Sequence, residues 1–277
     1  MNKTMVVLAL SIMLAVRAME QQREFRQPFS DLDQAPVLIQ SGVATLENLE
    51  ELAIRADLKE ELKSFYSELE SLDGSFKRVM VRILDIYEAN LDKPINEVFG
   101  KDSQEELYTA LCSAARGGLI NIAKFLLSLG IKVNDSYSHG NTPLMLAAGE
   151  GQMEMVKMLI QRGANVNVQN DDNQTALSLA VEKGYLKVVK ILIAFGADVN
   201  IQSKEMRSFL GFFGRKNYKY TPLSLAAKKG HTEIVKILIQ SGAVINIENE
   251  HEDTALSLAI EKGYTEIIEL LNNAANE

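Results

Sequence analysis

The residues whose types could support chemistry are few in this chain, and they lie far apart. There are three histidines, His139, His231 and His251, and a single cysteine, Cys112. A zinc site needs Cys or His ligands at short, regular spacings, which do not occur here. Nothing resembles a nucleophile elbow or a Gly-rich phosphate-binding loop either. We therefore predict a protein that is not an enzyme and that has no metal site and no cofactor.

The acidic residues do not indicate a calcium site. They cluster at 171–173 and 248–253, but these segments lack the alternating oxygen ligands of a calcium loop, so we interpret them as solvated turns. The net charge of −8 argues against a general nucleic-acid binder, because that affinity comes from cations that neutralise phosphates. An enzymatic alternative would place an active site in residues 37–100, which contain no His or Cys.

A short motif built on threonine recurs along the C-terminal part of the chain. Its threonines are spaced by 33, 33, 46 and 33 residues, and they are Thr109, Thr142, Thr175, Thr221 and Thr254. A fixed period of this length indicates a repeat protein. Threonine before an apolar run predicts a helix N-cap, and a following proline suits the first helical position. Each unit is predicted to be a helix, a tight turn at a glycine, a second helix and a hairpin-like loop.

In this period and in these motifs the chain resembles the ankyrin repeat family. The resemblance is clearest in Asn141–Ala148, Gly163–Asn167 and Thr221–His231, and it extends from Ser103 to the C-terminus. It implies an all-α repeat solenoid of about five ankyrin repeats, each a helix-turn-helix with a hairpin loop, preceded by a small helical region. We predict a repeat domain at 103–277, with units at 104–136, 137–169, 170–202, 203–248 and 249–277.

The chain departs from the family pattern at three hairpin turns. Positions that favour glycine in the family hold Asn173, Lys219 and Glu252 here. Asparagine tolerates the left-handed backbone region better than lysine or glutamate does. We therefore expect altered geometry in the hairpins at Lys219 and Glu252. The last unit ends in a polar helix around Glu266 and Asn273, which suits a terminal capping repeat.

The resemblance also implies that the chain binds another protein through its hairpin tips and the concave face formed by its first helices. Tyr218 and Tyr220 are the expected anchors, because tyrosine adds contact area at low entropic cost. The candidate partner-binding residues on tips and helix ends are Ser138, His139, Asn141, Asp171, Asp172, Gln174, Tyr218, Tyr220, Lys228, Lys229, His251 and Asp253.

An insertion lengthens the spacing between the third and fourth units, and it lies in residues 203–217. Insertions in repeat proteins map to loops, often on the binding face. This one combines cations with large apolar side chains, and its candidate partner-binding residues are Phe209, Phe212, Phe213, Arg215 and Lys216. Three interpretations stay open: a finger that docks an acidic partner, a segment that packs its phenylalanines on the repeats, and a contact with anionic membrane.

The N-terminus has the pattern of a secretory signal peptide. Lys3 precedes an apolar run from Met5 to Val16, and the small residues Val16 and Ala18 suit cleavage before Met19. We therefore predict a signal peptide at 1–18 and an exported protein, either secreted or retained in the periplasm or cell envelope.

The segment between this leader and the repeats divides in two. Residues 19–36 are polar and are predicted to be a flexible lead-in. Residues 37–100 show helical periodicity and are predicted to be a helical cap for the repeats or degenerate repeats. Heptad-like spacing from Leu58 to Leu72 is compatible with a coiled coil, but it lasts barely two heptads, so we favour packing within the chain. Ser75 is a plausible N-cap for the next helix.

These observations favour a monomeric, exported ankyrin-repeat scaffold whose partner is another protein. One alternative is an envelope- or membrane-associated structural protein that contacts lipid through the insertion. The other is the enzyme with an N-terminal active site. Cys112 has no second cysteine with which to form an internal disulfide, and we expect it to be a small, half-buried residue of the first helix; the alternative is a reactive thiol or an intermolecular disulfide.

Overall fold

The computed structural model describes residues 64–65, 67–72, 74–88, 101–136, 138–206 and 217–276. The predicted signal peptide and the lead-in lie outside the described residues. Two compact units are present. The N-terminal unit contains the described residues up to Ala110 together with Asn121–Ile131, and the repeat unit contains Leu111–Ile120 together with the described residues from Lys132 onward.

The secondary structure is predominantly helical. In chain order the helices are α1 (Gly74–Glu88), α2 (Lys101–Gly117), α3 (Ile120–Ser128), α4 (Pro143–Gly149), α5 (Met153–Gln161), α6 (Ala176–Lys183), α7 (Leu186–Ala194), α8 (Pro222–Lys229), α9 (Thr232–Gln240), α10 (Ala255–Lys262) and α11 (Thr265–Ala275). The strands are β1 (Ser203–Met206) and β2 (Asn217–Tyr220), and a short 3-10 turn spans Ser138–Gly140.

The repeat unit stacks helix pairs along the chain. The first helices α4, α6, α8 and α10 pack on one another in sequence, and the second helices α5, α7, α9 and α11 do the same. The alanines at matching positions of the first helices, Ala147, Ala180, Ala226 and Ala259, are all fully buried. Small side chains let neighbouring helices approach closely, and the stacking confirms the predicted all-α repeat solenoid.

Threonine caps each of these first helices, as the motif predicts. The hydroxyl oxygens of Thr142, Thr175, Thr221 and Thr254 accept the main-chain N–H three residues on, at 3.1 to 3.3 Å. Such a cap typically stabilises a helix by about 1 kcal/mol. At the other end, Gly184, Gly230 and Gly263 close α6, α8 and α10 with φ of 73 to 77°, which glycine adopts without strain.

The first threonine of the series behaves differently. α2 begins at Lys101, and Thr109 lies inside it, with its hydroxyl donating to the carbonyl oxygen of Glu105 at 2.8 Å. The prediction that Tyr108–Leu111 repeats the capped element is therefore wrong for this unit. The residues before Thr109 include Gln104, Glu105 and Glu106, which favour helix, so the helix runs through the threonine and its hydroxyl bonds back to the preceding turn.

Two of the three unusual turn residues have left-handed backbone. Asn173 has φ 56° and Glu252 has φ 62°, and main-chain bonds of 3.0 Å close both turns in the same way. The expectation of altered geometry at Glu252 is therefore wrong, because the closed turn imposes the left-handed conformation on glutamate. At Lys219 the expectation is confirmed, since this residue lies in β2 instead of a turn.

Asparagines after the second helices join consecutive repeats. The Asn167 side chain donates to the Gly196 carbonyl oxygen at 3.0 Å and accepts from the Asp198 N–H at 2.8 Å. Asn134 and Asn200 make the same pair of bonds to the repeats that follow them. This ladder satisfies loop main-chain groups that no helix or strand pairs.

Glycines at the turns within helix pairs give room for a large side chain of the next repeat. A Cβ atom on Gly184 would lie 2.7 Å from His231 Cε1, and one on Gly230 would lie 2.8 Å from Tyr264 Cζ. The Tyr185 ring takes the same place beside Gly151. His231 is therefore an inter-repeat packing residue, and its buried Nε2 atom has no hydrogen-bond partner within the part of the chain that the structure describes.

The N-terminal unit has a separate apolar core. Phe65 and Phe125 pack edge to face with ring centroids 5.9 Å apart, and Leu69 and Met80 are buried with them. The Glu68 carboxylate accepts main-chain N–H groups at the start of α3, at 3.1 to 3.2 Å from the nitrogens of residues 121 and 122. A carboxylate at this end of a helix is stabilising.

Two local predictions fall in these helices. α1 starts at Gly74, so Ser75 lies inside the helix and its predicted N-cap role is wrong. Cys112, in α2, is buried at 4% exposure, deeper than the expected half-burial. None of the helices within the described residues has the length and apolar character needed to cross a membrane.

Candidate protein-binding surface

The turns that precede the first helices are joined through their main chains. The Asp171 N–H donates to the His139 carbonyl oxygen at 3.0 Å, and the Lys204 N–H donates to the Asp172 carbonyl oxygen at 2.8 Å. These bonds leave the side chains free to face outward, and those of His139 and Asp171 are exposed. We call the residues that line these turns the tip surface; they are His139, Asp171, Asp172, Lys204, Lys219 and His251.

An asparagine side chain organises each of the two regular turns at 170–174 and 249–253. The Asn170 side chain is 8% exposed, and its Oδ1 accepts the N–H groups of Asp172 and Gln174 at 3.0 and 2.8 Å. Asn249 accepts the N–H groups of His251 and Asp253 at 2.8 and 2.9 Å in the same way. Sequence reasoning placed Asn170 in a turn but did not single out either side chain as the group that organises its turn, although an asparagine five positions before a capped threonine is a detectable signal.

Three predicted contact residues also belong to this turn network. The Asn170 amide donates to Asn141 Oδ1 at 2.9 Å and to Gln174 Oε1 at 3.1 Å. The Asn249 amide donates to Asp253 Oδ2 at 3.0 Å. Asn141, Gln174 and Asp253 therefore have a structural role, and their partly exposed side chains remain accessible from outside.

The insertion opens one of these turns into a two-stranded antiparallel ribbon. β1 pairs with β2 in the register Ser203 with Tyr220 and Lys204 with Lys219. Ser203 and Tyr220 are buried at 4% and 3% exposure, whereas Lys204 and Lys219 are partly exposed. Because successive strand residues alternate between faces, the two lysines share the outer face of the ribbon.

The structure corrects two predicted contact residues. Tyr220 is 3% exposed and Lys228 is 7% exposed, so neither is an accessible anchor. The Lys228 Nζ lies 4.1 Å from the centre of the Tyr220 ring, a cation–π contact beneath the ribbon. The strand pairing places Tyr220 on the inner face with Ser203, which is the physical reason for its burial.

Other predicted positions have different outcomes. Lys229 lies at the end of α8, and its Nζ is 3.6 Å from the Glu182 carboxylate of the preceding first helix. His251 is exposed on its turn. Phe209, Phe212, Phe213, Arg215 and Lys216 lie outside the described residues, as do the side chains of Ser138 and Tyr218.

The structure also exposes apolar residues that no sequence signal singled out. Phe195 and Val244 are 52% and 51% exposed on the loops opposite the capped helices. Ile260 in α10 is 58% exposed, although Val181 and Ala227 at the matching positions of α6 and α8 are fully buried. In those earlier units the first helix of the following repeat packs against α6 and α8.

One charge cluster lies on the second helices, away from the tip surface. Lys236 Nζ is 2.8 Å from Glu233 and 3.2 Å from Glu266 of the next unit. The hydrogen bond from Lys236 lowers the pKa of Glu233, and the hydrogen bonds to Glu233 and Glu266 raise the pKa of Lys236. These groups are solvent-exposed, so they indicate a local ion network rather than a reactive site.

Stacked helix pairs with outward-facing turns, together with a set of polar side chains on those turns, define a repeat solenoid of the binding type. The family model described as Ankyrin repeats (3 copies) matches residues 134–203 and 206–276, more than half of the chain. The chain belongs to the ankyrin repeat family. None of the curated proteins matches it. Ankyrin repeats generally mediate binding to other proteins and are generally non-enzymatic, so the family implies a protein–protein interaction scaffold.

Proposed function

We propose that this chain is an exported scaffold that binds one other protein through the tip surface. The observation that carries the proposal is the pair of main-chain bonds between tips, Asp171 to His139 and Lys204 to Asp172. They fix the spacing of the tips, so a partner meets a pre-organised surface and loses less conformational entropy on binding. No enzymatic role enters the proposal.

The chemistry of the tip surface indicates a polar, charge-selective partner. Asp171 and Asp172 belong to the turn beside the ribbon, whereas Lys204 and Lys219 belong to the ribbon itself. The charge of the tip surface therefore changes from negative to positive between the turn and the ribbon. A partner with the complementary order of charges is favoured, and a partner with the reverse order is repelled. Such an arrangement contributes more to specificity and association rate than to affinity.

The proposal includes the insertion as part of the contact. β1 and β2 lie where the regular repeats have their turns, so the insertion interrupts the repeat at the tip surface and not at the second helices. Phe209, Phe212, Phe213, Arg215 and Lys216 are candidate anchors in that segment, because aromatic and arginine side chains dominate binding hot spots.

Export is a separate part of the proposal. It is supported by the apolar run from Met5 to Val16 and the small residues before Met19. Expression with a C-terminal tag, followed by N-terminal sequencing of the exported fraction, tests it. A mature chain that starts at Met19 supports export, and a chain that stays uncleaved inside the cell argues against it.

The binding role is tested by affinity capture with the tagged full chain and identification of captured proteins by mass spectrometry. The first variant carries Asp171→Lys and His139→Ala, which alter exposed side chains while the main-chain bonds between tips remain. The second variant replaces residues 207–216 by a short Gly-Ser link that keeps β1 and β2. The matched control is Lys132→Met with Lys187→Met, two exposed positions away from the tips.

Each outcome assigns a role to one surface. A partner lost with the first variant and kept by the control places binding on the tips, and a partner lost with the second adds the insertion. A partner kept by both variants excludes the tip surface. If the chain captures no protein but binds anionic liposomes, and Phe212→Ser with Phe213→Ser removes that binding, the membrane alternative replaces the proposal.

A further inference from the structure

The main-chain connection between tips stops at the ribbon. The third unit is bonded to the second through Asp171 and to the ribbon through Lys204. On the other side of the ribbon, the described residues show no main-chain hydrogen bond between β2 and the turn at 249–253. The connection there is the ion pair of Lys219 Nζ with Glu250, at 3.1 Å. β2 therefore has an outer edge that the neighbouring turn does not pair.

The orientation of that edge follows from the register. In an antiparallel ribbon, opposed residues alternate between hydrogen-bonded and non-hydrogen-bonded pairs. The Lys204 N–H is directed away from β2, because it donates to Asp172. Lys204 and Lys219 are therefore a non-hydrogen-bonded pair, and the N–H and C=O groups of Lys219 point outward from the free side of β2. By the same alternation, those of Asn217 point outward as well.

The two lysines on the outer face of the ribbon place positive charges close together. In a non-hydrogen-bonded pair the two side chains lie close together, and like charges placed directly opposite are destabilising. Glu250 neutralises Lys219, but within the part of the chain that the structure describes Lys204 has no ion pair. A second carboxylate on the outer face of the ribbon would relieve this repulsion.

We infer that β2 is a docking edge for an extended acidic segment of the partner protein, which adds to the ribbon as a third strand. Its main chain bonds to the outward N–H and C=O groups of Lys219 and Asn217, about 4.8 Å from β2. A carboxylate on its outer face displaces Glu250 from Lys219 and lies in the field of Lys204. This inference rests on the proposed function, because it names the chemistry of the segment that the scaffold recognises.

Glu250 acts in this arrangement as an internal substitute for the ligand. It supplies the carboxylate that the partner would bring, from a turn that shows no main-chain bond to β2 among the described residues. Its removal should therefore improve binding, whereas removal of the lysines should weaken it. A charge effect without strand addition would show the same two changes, so the test must also probe main-chain pairing.

The probe is a short capped peptide of alternating glutamate and valine, titrated into the full chain and followed by calorimetry or by fluorescence of a label on the peptide. We expect Lys204→Met with Lys219→Met to weaken binding by at least about tenfold, and Glu250→Gln to strengthen it about threefold. The charge-matched control, Lys132→Met with Lys187→Met, should bind as the wild type does. A peptide with every main-chain N–H methylated should lose binding, because it has no donors for β2.

Three results would overturn the inference. The first is that the glutamate–valine peptide does not bind. The second is that Lys204→Met with Lys219→Met loses no more peptide affinity than the control Lys132→Met with Lys187→Met. The third is that the methylated peptide binds as well as the unmethylated one. Each of these leaves the proposed function intact if the full chain still captures a partner that the Asp171→Lys and His139→Ala variant loses. Conversely, peptide binding with no captured protein would contradict the proposed function while keeping the docking edge.

Discussion

The same place in the repeat has two solutions in this protein. In the third and fifth units, an asparagine side chain closes the chain over five residues into a turn, at 170–174 and 249–253. In the fourth unit the inserted residues open this place into the β1–β2 ribbon. A closed turn satisfies its main chain internally, whereas each strand of a two-stranded ribbon has an edge that its partner strand does not pair. The insertion therefore changes the main-chain hydrogen bonding at the tip, while the helix below it still begins at a capped threonine, Thr221.

The largest expected effect on the free energy of unfolding is at the residue that directly precedes the capping threonine, which is Tyr220 in the ribbon unit and Asp253 in the fifth unit. Tyr220→Ala in the ribbon unit should reduce the free energy of unfolding by about 3 kcal/mol, because a large buried ring under Lys228 is lost. Asp253→Ala at the same position of a regular turn should cost about 1 kcal/mol, the value of its hydrogen bond from Asn249. Urea unfolding of the full chain measures both values. Equal losses would show that Tyr220 is not a core residue.

A smaller difference is expected between the residues that begin the turn and the ribbon, Asn170 and Ser203. Asn170→Ala should cost about 2 kcal/mol, because the buried side chain satisfies two main-chain N–H groups and two side-chain acceptors. Ser203→Ala should cost less than about 1 kcal/mol, since it loses one hydrogen bond of 3.3 Å to the Tyr220 carbonyl oxygen. Asn170→Asp is the matched control for the acceptor role, because its carboxylate still accepts the two N–H groups. If Asn170→Ala is neutral, the turn does not depend on its side chain.

A third contrast predicts opposite signs at one position of the repeat. Glu252→Gly should increase the free energy of unfolding by about 0.7 kcal/mol, because glycine relieves the left-handed conformation at φ 62°. Lys219→Gly should decrease it by about 0.7 kcal/mol, because glycine weakens a strand. Thermal unfolding of both variants against the wild type gives the signs. The same sign for both would mean that the two positions have the same backbone conformation.

The elements that the sequence predicted well are those governed by local chemistry. The threonine caps follow from the side chain and its immediate neighbours, and the structure confirms them at Thr142, Thr175, Thr221 and Thr254. Thr109 lies in the same short sequence motif, but the helix-favouring residues before it extend α2 through the motif. A motif therefore predicts a boundary only when the preceding residues also form a turn.

The accessible surface was harder to predict, because exposure depends on contacts between repeats. Tyr220 and Lys228 are polar or amphipathic residues at positions that face the partner in the family pattern, yet strand pairing turns Tyr220 inward and Lys228 covers it. The turn asparagines Asn170 and Asn249 have partners that lie close in the sequence, and a search for asparagine before the threonine motif would have found them. No local signal indicates that Ile260 is exposed, since its exposure depends on which helices pack against α10.

The smallest expected effect on stability is at Glu250. Its substitution should nevertheless change peptide binding, which separates the ribbon from a regular turn. Glu250 and Lys219 are 49% and 44% exposed in their side chains, so solvent screens their ion pair, and Glu250→Gln should change the free energy of unfolding by less than about 0.5 kcal/mol. Asp171→Asn, at the matching position of a turn without such a lysine, should be equally neutral. Only Glu250→Gln should strengthen binding of the acidic peptide, and added salt should reduce the gain, because ions screen exposed charges over distances of about 10 Å. Stronger peptide binding by Asp171→Asn would mean that net charge, and not the open edge of β2, controls recognition.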